Sequence, residues 1–242
     1  MTGPAASGDA SGCLLCGAEL VYLDRTEPMA CALCGATAPG HARCASGHFA
    51  CDACHAGDAK DVVERICAHS ESRDPVEMAL QAMRHPRVKM HGPEHHFLVP
   101  AALVAAWANA RGEPERRADL VAEARRRSEP VAGGFCGMQG ACGAGIGVGT
   151  FVSIATGASP LKGPERGLAN LATARALELV ARTGGPRCCK RDGFLSLLSG
   201  IRFARRHLGV SLGGRGPRCE WSRGNRQCME QDCPFHPRER AA

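Results

Sequence analysis

The sequence predicts a mainly α-helical protein, in which a helical core domain follows an N-terminal zinc-ribbon-like module with short β-strands. Three observations predict this fold class. Helix start and stop signals recur between residues 58 and 209, no strand pattern of comparable length competes with them, and cysteines are dense near both ends of the chain. We therefore expect a metal module over residues 1–56, a cysteine-lined helical core over 57–209 and a basic, cysteine-rich segment over 210–242.

Short strands are expected only within residues 17–50, ahead of the helices. The first clear helix signal is Asp74, which precedes a proline at the first helical position and a glutamate at the third in an arrangement typical of a capped helix start. The next apolar run predicts a helix that begins at Pro100 and ends near Gly112.

Four further helices are expected in the second half of the core. The run EPERRADLVAEARRR indicates an exposed, charged helix, and the run from about Gly143 to Gly157 is apolar on every side, which favours a buried central helix. The segment PERGLANLATARALELVARTGG is amphipathic and ends in a glycine pair. The last helix is expected to have Asp192 at its start.

Fifteen cysteines in 242 residues dominate the composition. The stretch MTGPAASGDASG has neither a basic nor an apolar region typical of an export signal, so we expect a cytoplasmic protein. Intracellular cysteine-rich chains bind metals or carry out redox chemistry more often than they form structural disulfides. The uncharged stretch from Gly143 to Leu161 is interrupted by glycine, serine, threonine and Pro160, so no membrane span is expected.

The N-terminal segment has the spacing of zinc ligands. Two CxxC motifs, each followed by glycine, resemble zinc knuckles, and a further cluster follows them. The eight candidate ligands are Cys13, Cys16, Cys31, Cys34, Cys44, His48, Cys51 and Cys54. They could pair sequentially, or they could interleave, so that the first CxxC pair shares an ion with Cys44 and His48. The repeated CxxCG motif favours sequential pairing.

A second ligand cluster lies in the C-terminal segment, with a spacing close to that of a CCCH zinc finger. Its members are Cys219, Cys228, Cys233 and His236. Either zinc or an iron–sulfur cluster could use the three cysteines, and the helical core could complete the site. Residues 187–242 contain 12 Lys/Arg against 5 Asp/Glu, a net charge of +7, so an RNA-binding finger is the rival interpretation.

Histidines cluster ahead of the apolar helix. His91, Glu94 and His95 match an inverted zinc-protease motif, but Gly92-Pro93 argues against the helix that this motif requires. We instead expect a loop that brings His95 and His96 to the helix that starts at Pro100.

The segment Cys142-Gly-Ala-Gly-Ile-Gly147 resembles the CGAxxG signature of the C_GCAxxG_C_C family of redox-active proteins. The order of the following elements also matches over roughly residues 90–236, including GPRCCKRD and a cysteine before Pro234. The whole chain is also similar to an uncharacterised cysteine-rich family of anaerobic bacteria and archaea. The resemblance implies one buried redox site formed by the core thiols, and His95 or His96 would replace the family's first cysteine. These thiols are Cys136, Cys142, Cys188 and Cys189.

These features together predict a metal-binding, redox-type accessory protein. An iron–sulfur or other metal centre would lie in the helical core, with structural zinc at the N-terminus, and the partner would be a redox or methyl-transfer enzyme of anaerobic metabolism. One alternative is a thiol–disulfide oxidoreductase that uses Cys136/Cys142 or Cys188/Cys189. Another is a zinc-finger protein that binds nucleic acid, which is not favoured. No phosphate-binding loop, Ser-His-Asp order or paired-carboxylate site supports a hydrolase or a kinase.

Overall fold

A computed structural model describes residues 13, 15–16, 18–51, 54 and 58–237. These residues form eight α-helices and one two-stranded antiparallel sheet, which lies near the N-terminal cysteines. The predicted fold class is therefore confirmed. Within the described part of the chain, strands are found only in the interval in which the sequence predicted them.

The sheet is a β-hairpin formed by β1 (Leu20–Ala30) and β2 (Thr37–Cys44). Leu20 pairs with Cys44 at one end and Ala30 with Thr37 at the other, and a bulge interrupts the register between Tyr22 and Glu27. Leu33 and Phe49 form a small apolar cluster with the neighbouring cysteines.

The helices follow the hairpin in chain order. They are α1 (Ala59–His69), α2 (Pro75–Arg84), α3 (Glu94–Arg111), α4 (Arg117–Ser128), α5 (Phe135–Met138), α6 (Gly143–Thr156), α7 (Gly163–Thr183) and α8 (Cys189–His207). Helix α2 begins as predicted, because the side chain of Asp74 accepts hydrogen bonds from the N–H groups of Val76 and Glu77. None of the described helices is long and apolar enough to cross a membrane.

Helix α3 is the centre of the core, and it begins earlier than predicted. Every residue from Phe97 to Asn109 is buried, and α3 packs against α1, α2, α4, α6 and α8. The helix starts at Glu94 and Pro100 lies inside it, so the expectation of a helix that begins at Pro100 is wrong. Its end at Gly112, which has a left-handed backbone (φ 71°), is as predicted.

Helix α6 packs closely against α3 at the proline inside it. Proline has no N–H group for the carbonyl of His96, one turn earlier in the helix. Gly147 of α6 lies directly against this position: a Cβ there would come within 2.6 Å of Pro100 Cδ and 3.3 Å of the His96 carbonyl oxygen. Sequence reasoning treated Pro100 as a helix start because proline is most favourable there.

The buried central helix predicted near residues 143–157 is confirmed as α6, which packs against α3, α7 and α8. Helix α8 begins at Cys189, so Asp192 is its fourth residue rather than its first. After α8, the chain folds back onto the core through the edge-to-face contact of Phe235 with Phe194, whose ring centroids are 5.4 Å apart. This return brings the C-terminal cysteines to the start of α8.

Candidate metal centres and thiol pockets

The eight N-terminal ligands form two compact sets, in each of which all ligand atoms lie within 4.8 Å of one another. One set is Cys13, Cys16, Cys44 and His48, and the other is Cys31, Cys34, Cys51 and Cys54. The sets are interleaved along the chain, so the sequential pairing that the CxxCG repeats favoured is wrong.

The spacing of the ligand atoms fits a tetrahedral ion. A zinc–sulfur bond of about 2.3 Å in a tetrahedral site places the sulfurs roughly 3.8 Å apart. The Sγ atoms of Cys16 and Cys44 are 3.8 Å apart, and those of Cys34 and Cys51 are 3.9 Å apart. Four protein ligands could close each site, which is the arrangement of a structural tetrahedral metal site rather than a catalytic one.

The hairpin explains why the sets interleave. The first CxxC motif precedes β1 and therefore lies beside Cys44, the residue that ends β2. The second CxxC motif forms the turn between the strands at the opposite end, where the Ala32 N–H donates a 2.8 Å hydrogen bond to the Phe49 carbonyl. An 11-residue strand spans on the order of 30 Å, so the two CxxC motifs cannot share one ion.

Hydrogen bonds in both N-terminal sets stabilise thiolates. The N–H groups of Leu15 and His48 donate to the sulfurs of Cys13 and Cys44, over 3.4 and 3.2 Å. The Cys54 thiol lowers the pKa of Cys31 to about 4 by hydrogen bonding to it, and the same bond raises the pKa of Cys54. A bound metal ion would replace such shared protons, and binding would then release them to solvent.

A third group of thiols surrounds a closed cavity between the start of α8 and the C-terminal segment. The cysteines that line this cavity, called here the closed cavity, are Cys188, Cys219, Cys228 and Cys233. Three of them belong to the cluster expected from the sequence, and Cys188 joins them from the helical core. His236 is not a lining residue, whereas the neighbouring Phe235 is.

The thiols of the closed cavity have the same kind of backbone support as the zinc knuckles. The N–H of Trp221 donates a 3.4 Å hydrogen bond to the sulfur of Cys219, and the N–H of Glu230 donates a 3.3 Å hydrogen bond to that of Cys228. Each donor lies two residues after its cysteine, as Leu15 does after Cys13. The side-chain amide of Asn225 donates to the sulfur of Cys188 over 3.5 Å. The Trp221 N–H lowers the pKa of Cys219, but burial outweighs it, and burial raises the pKa of both Cys219 and Cys188.

Lys190 is a buried cation beside this cavity, which sequence reasoning missed. It is 2% exposed, and its Nζ lies 4.2 Å from the centre of the Trp221 ring and 3.3 Å from the Met83 carbonyl oxygen. Burial lowers the pKa of Lys190 to about 8, against the opposing influence of Cys188 and Cys219. An ammonium group in such a place is best compensated by anionic sulfur nearby.

Two of the remaining core thiols lie at a second, open pocket of about 570 Å³. Cys136 and Cys142 line it, together with Asp192 and Arg191, which form a buried ion pair with 3.0 Å between Nε and Oδ1. Arg191 also lines the closed cavity, so the two sites share one wall.

The adjacent cysteines at the start of α8 differ in their surroundings. Cys188 lines the closed cavity, whereas Cys189 lines neither this cavity nor the open pocket. Burial raises the pKa of Cys142, and it raises that of Cys189 to about 11. The resemblance implied one site with Cys142 and either Cys188 or Cys189, but Cys142 lines the open pocket and Cys188 the closed cavity. Successive residues at a helix start point in different directions.

His95 and His96 lie in the first turn of α3, not in a loop. His95 is buried, its Nε2 is 3.0 Å from the Lys89 carbonyl oxygen, and burial lowers its pKa to about 3. His96 hydrogen bonds to the Val131 carbonyl and packs against Gly143, next to Cys142. Neither belongs to a group of three ligand atoms within 4.8 Å of one another among the residues described.

Comparison with known proteins identifies a family for most of the chain but assigns no activity. No curated protein matches the chain, and no solved structure matches it. One family model matches residues 63–236, from within α1 to the C-terminal ligand cluster, and leaves the N-terminal metal module outside. The chain therefore belongs to DUF5714, a family of unknown function.

Proposed function

We propose that the protein is a redox accessory protein, with structural zinc in the N-terminal module and an iron–sulfur cluster in the closed cavity. The cluster ligands would be Cys188, Cys219, Cys228 and Cys233. The observation that carries the proposal is that thiols from separate parts of the chain line one cavity beside a buried lysine. The cluster chemistry would agree with the resemblance to the C_GCAxxG_C_C family, and it would suit anaerobic metabolism.

The spacing of these thiols favours a cluster over a single ion. Among the described residues, the N-terminal sets alone bring three or more ligand atoms within 4.8 Å of one another. The thiols of the closed cavity are thus more widely spaced than one tetrahedral ion requires. Cysteine thiolates are the usual ligands of iron–sulfur clusters, which separate their ligands further.

The surrounding residues have defined roles in this proposal. When bound, a cluster supplies one-electron transfer. Lys190 offsets the negative charge of the thiolates, and Phe194, Trp221 and Phe235 keep water away from them. The exposed arginines of the C-terminal segment would attract an acidic partner, which we propose is a redox or methyl-transfer enzyme.

Metal analysis of protein purified without oxygen tests the proposal. We expect zinc, iron and acid-labile sulfide, with the broad visible absorbance of a cluster. Cys219→Ser should lose iron and sulfide and keep zinc, whereas the control Cys136→Ser, in the open pocket, should keep all three. Colourless wild-type protein that contains zinc alone would refute the cluster.

A second candidate function is thiol–disulfide exchange at the open pocket. It is favoured by the placement of an exposed thiol, Cys136, and a half-buried one, Cys142, on the same pocket. In this reaction a substrate disulfide would be reduced to two thiols while the two cysteines form a disulfide. The test is incubation with oxidised glutathione: Cys142→Ser should accumulate a mixed disulfide at Cys136, whereas Cys67→Ser should not.

A further inference from the structure

A cleft between α7 and the second half of α8 concentrates positive charge. It has a volume of about 360 Å³, which lies in the range of small-molecule sites. Four arginines and one glutamate line the cleft, which gives a formal charge of +3 when His207 is counted as neutral. These charged residues are Arg175, Arg182, Arg202, Arg206 and Glu178. None of these residues contributes to the metal centres or thiol pockets other than Glu178, which also borders the open pocket.

The arginines of α7 and those of α8 differ in their pairing. Arg182 holds the carboxylate of Glu178 at 2.9 Å, and Arg175 lies 3.8 Å from it. Arg202 and Arg206 form no ion pair with any described acidic residue. Because they are four residues apart on one helix, they face the same side and repel each other.

Helix electrostatics explains only part of this cluster. Cations in the last turn of a helix interact favourably with its dipole, which accounts for Arg205, Arg206 and His207. Arg202 lies before that turn, and Arg175 and Arg182 belong to the neighbouring helix. The four arginines that line one cleft from two helices therefore point to an anionic ligand.

An aromatic pair borders the same cleft. The ring of His207 stacks on that of Phe203, with 4.3 Å between the centroids and 28° between the planes. Phe203 is buried, whereas His207, which stacks on it, is an exposed residue. A flat ring can stack on that exposed face.

We propose that this cleft binds a small ligand with a diphosphate group. Guanidinium groups bind phosphate oxygens in pairs of parallel hydrogen bonds, and Arg202 with Arg206 offers two such forks that have no carboxylate partner. The ligand could be inorganic pyrophosphate or a nucleoside diphosphate, since both share this chemistry. The inference is independent of the redox function proposed above.

Isothermal titration calorimetry on the full-length protein tests this site, with pyrophosphate and ADP as probes at physiological ionic strength. Arg202→Gln and Arg206→Gln should each weaken binding by at least about tenfold, the effect of losing one charge-assisted contact. Arg205→Gln is the matched control, because Arg205 is equally exposed and adjacent to Arg206 but does not line the cleft. It should change the affinity by less than about twofold.

The outcomes separate the sources of the diphosphate and can overturn the proposal. Tighter binding of ADP, lost in His207→Ala, would identify a nucleotide, whereas equal binding of both probes would support a site for diphosphate itself. No measurable binding of either probe would overturn the site. Equal weakening by Arg205→Gln, or preferred binding of an oligonucleotide, would overturn it by indicating a diffuse basic surface. The metal content should stay unchanged in every variant, which separates this test from that of the redox function.

Discussion

Paired substitutions in the N-terminal module distinguish interleaved from sequential ligand pairing. In the interleaved arrangement, Cys13 and Cys44 belong to one site and Cys31 to the other. The double variant Cys13→Ser/Cys44→Ser should therefore lose one zinc ion, and Cys13→Ser/Cys31→Ser should lose both. Sequential pairing predicts the opposite result for each variant.

The expected size of the effect follows from the four-ligand sites. A complete structural zinc site binds with about 10–16 kcal/mol, so losing two of four ligands should weaken binding by roughly 10⁴-fold. The hairpin keeps the two CxxC motifs at opposite ends of β1, on the order of 30 Å apart, so neither site can borrow a ligand from the other.

The assay is zinc per chain by atomic emission after dialysis against a weak chelator. The wild-type module should hold two zinc ions, one for each compact set. Loss of both ions from Cys13→Ser/Cys44→Ser, together with loss of only one from Cys13→Ser/Cys31→Ser, would refute the interleaved geometry. Cys136→Ser is the control, and its zinc content should equal that of the wild type.

Three further predictions concern the core. Gly147→Ala would place a Cβ 2.6 Å from the Pro100 ring, and it should lower the free energy of unfolding in urea by about 1–3 kcal/mol. The control is Gly167→Ala on an open helix face, which should leave the free energy of unfolding equal or higher. Burial holds the pKa of His95 at about 3 in the folded protein, so below pH ~6.5 the unfolded chain binds one more proton than the folded chain. The free energy of unfolding should therefore fall as the pH drops from ~6.5 to ~5. His95→Gln should flatten this dependence, whereas His69→Gln, at an exposed histidine, should not. Lys190→Met should keep the iron content and lower the midpoint potential of the proposed cluster by roughly 60 mV, as measured by redox titration. An unchanged midpoint potential would contradict the role of Lys190 as a countercharge.

Local sequence signals were sufficient for most of the helices and for the cysteines and the histidine that form the two compact N-terminal sets. Asp74 and Gly112 mark helix ends through interactions with residues within one turn, and the uniformly apolar run near Gly143 requires a buried helix whatever surrounds it. Likewise, the CxxCG spacing alone predicts knuckles, and in both of them the first cysteine N–H donates to a carbonyl five residues later. These features are short-range, so no knowledge of the fold is needed to predict them.

Pairing between distant segments was decided only by the tertiary structure. The CxxC repeats look equivalent in the sequence, but the hairpin carries them to opposite ends of β1 and so interleaves the two ligand sets. Pro100 lies within a helix and packs against Gly147 of another helix. Cys188 and Cys189 are neighbours in the chain, yet Cys188 lines the closed cavity and Cys189 does not. In each case the deciding contact joins residues far apart in the sequence, and local spacing carries no information about which distant partner the fold brings close.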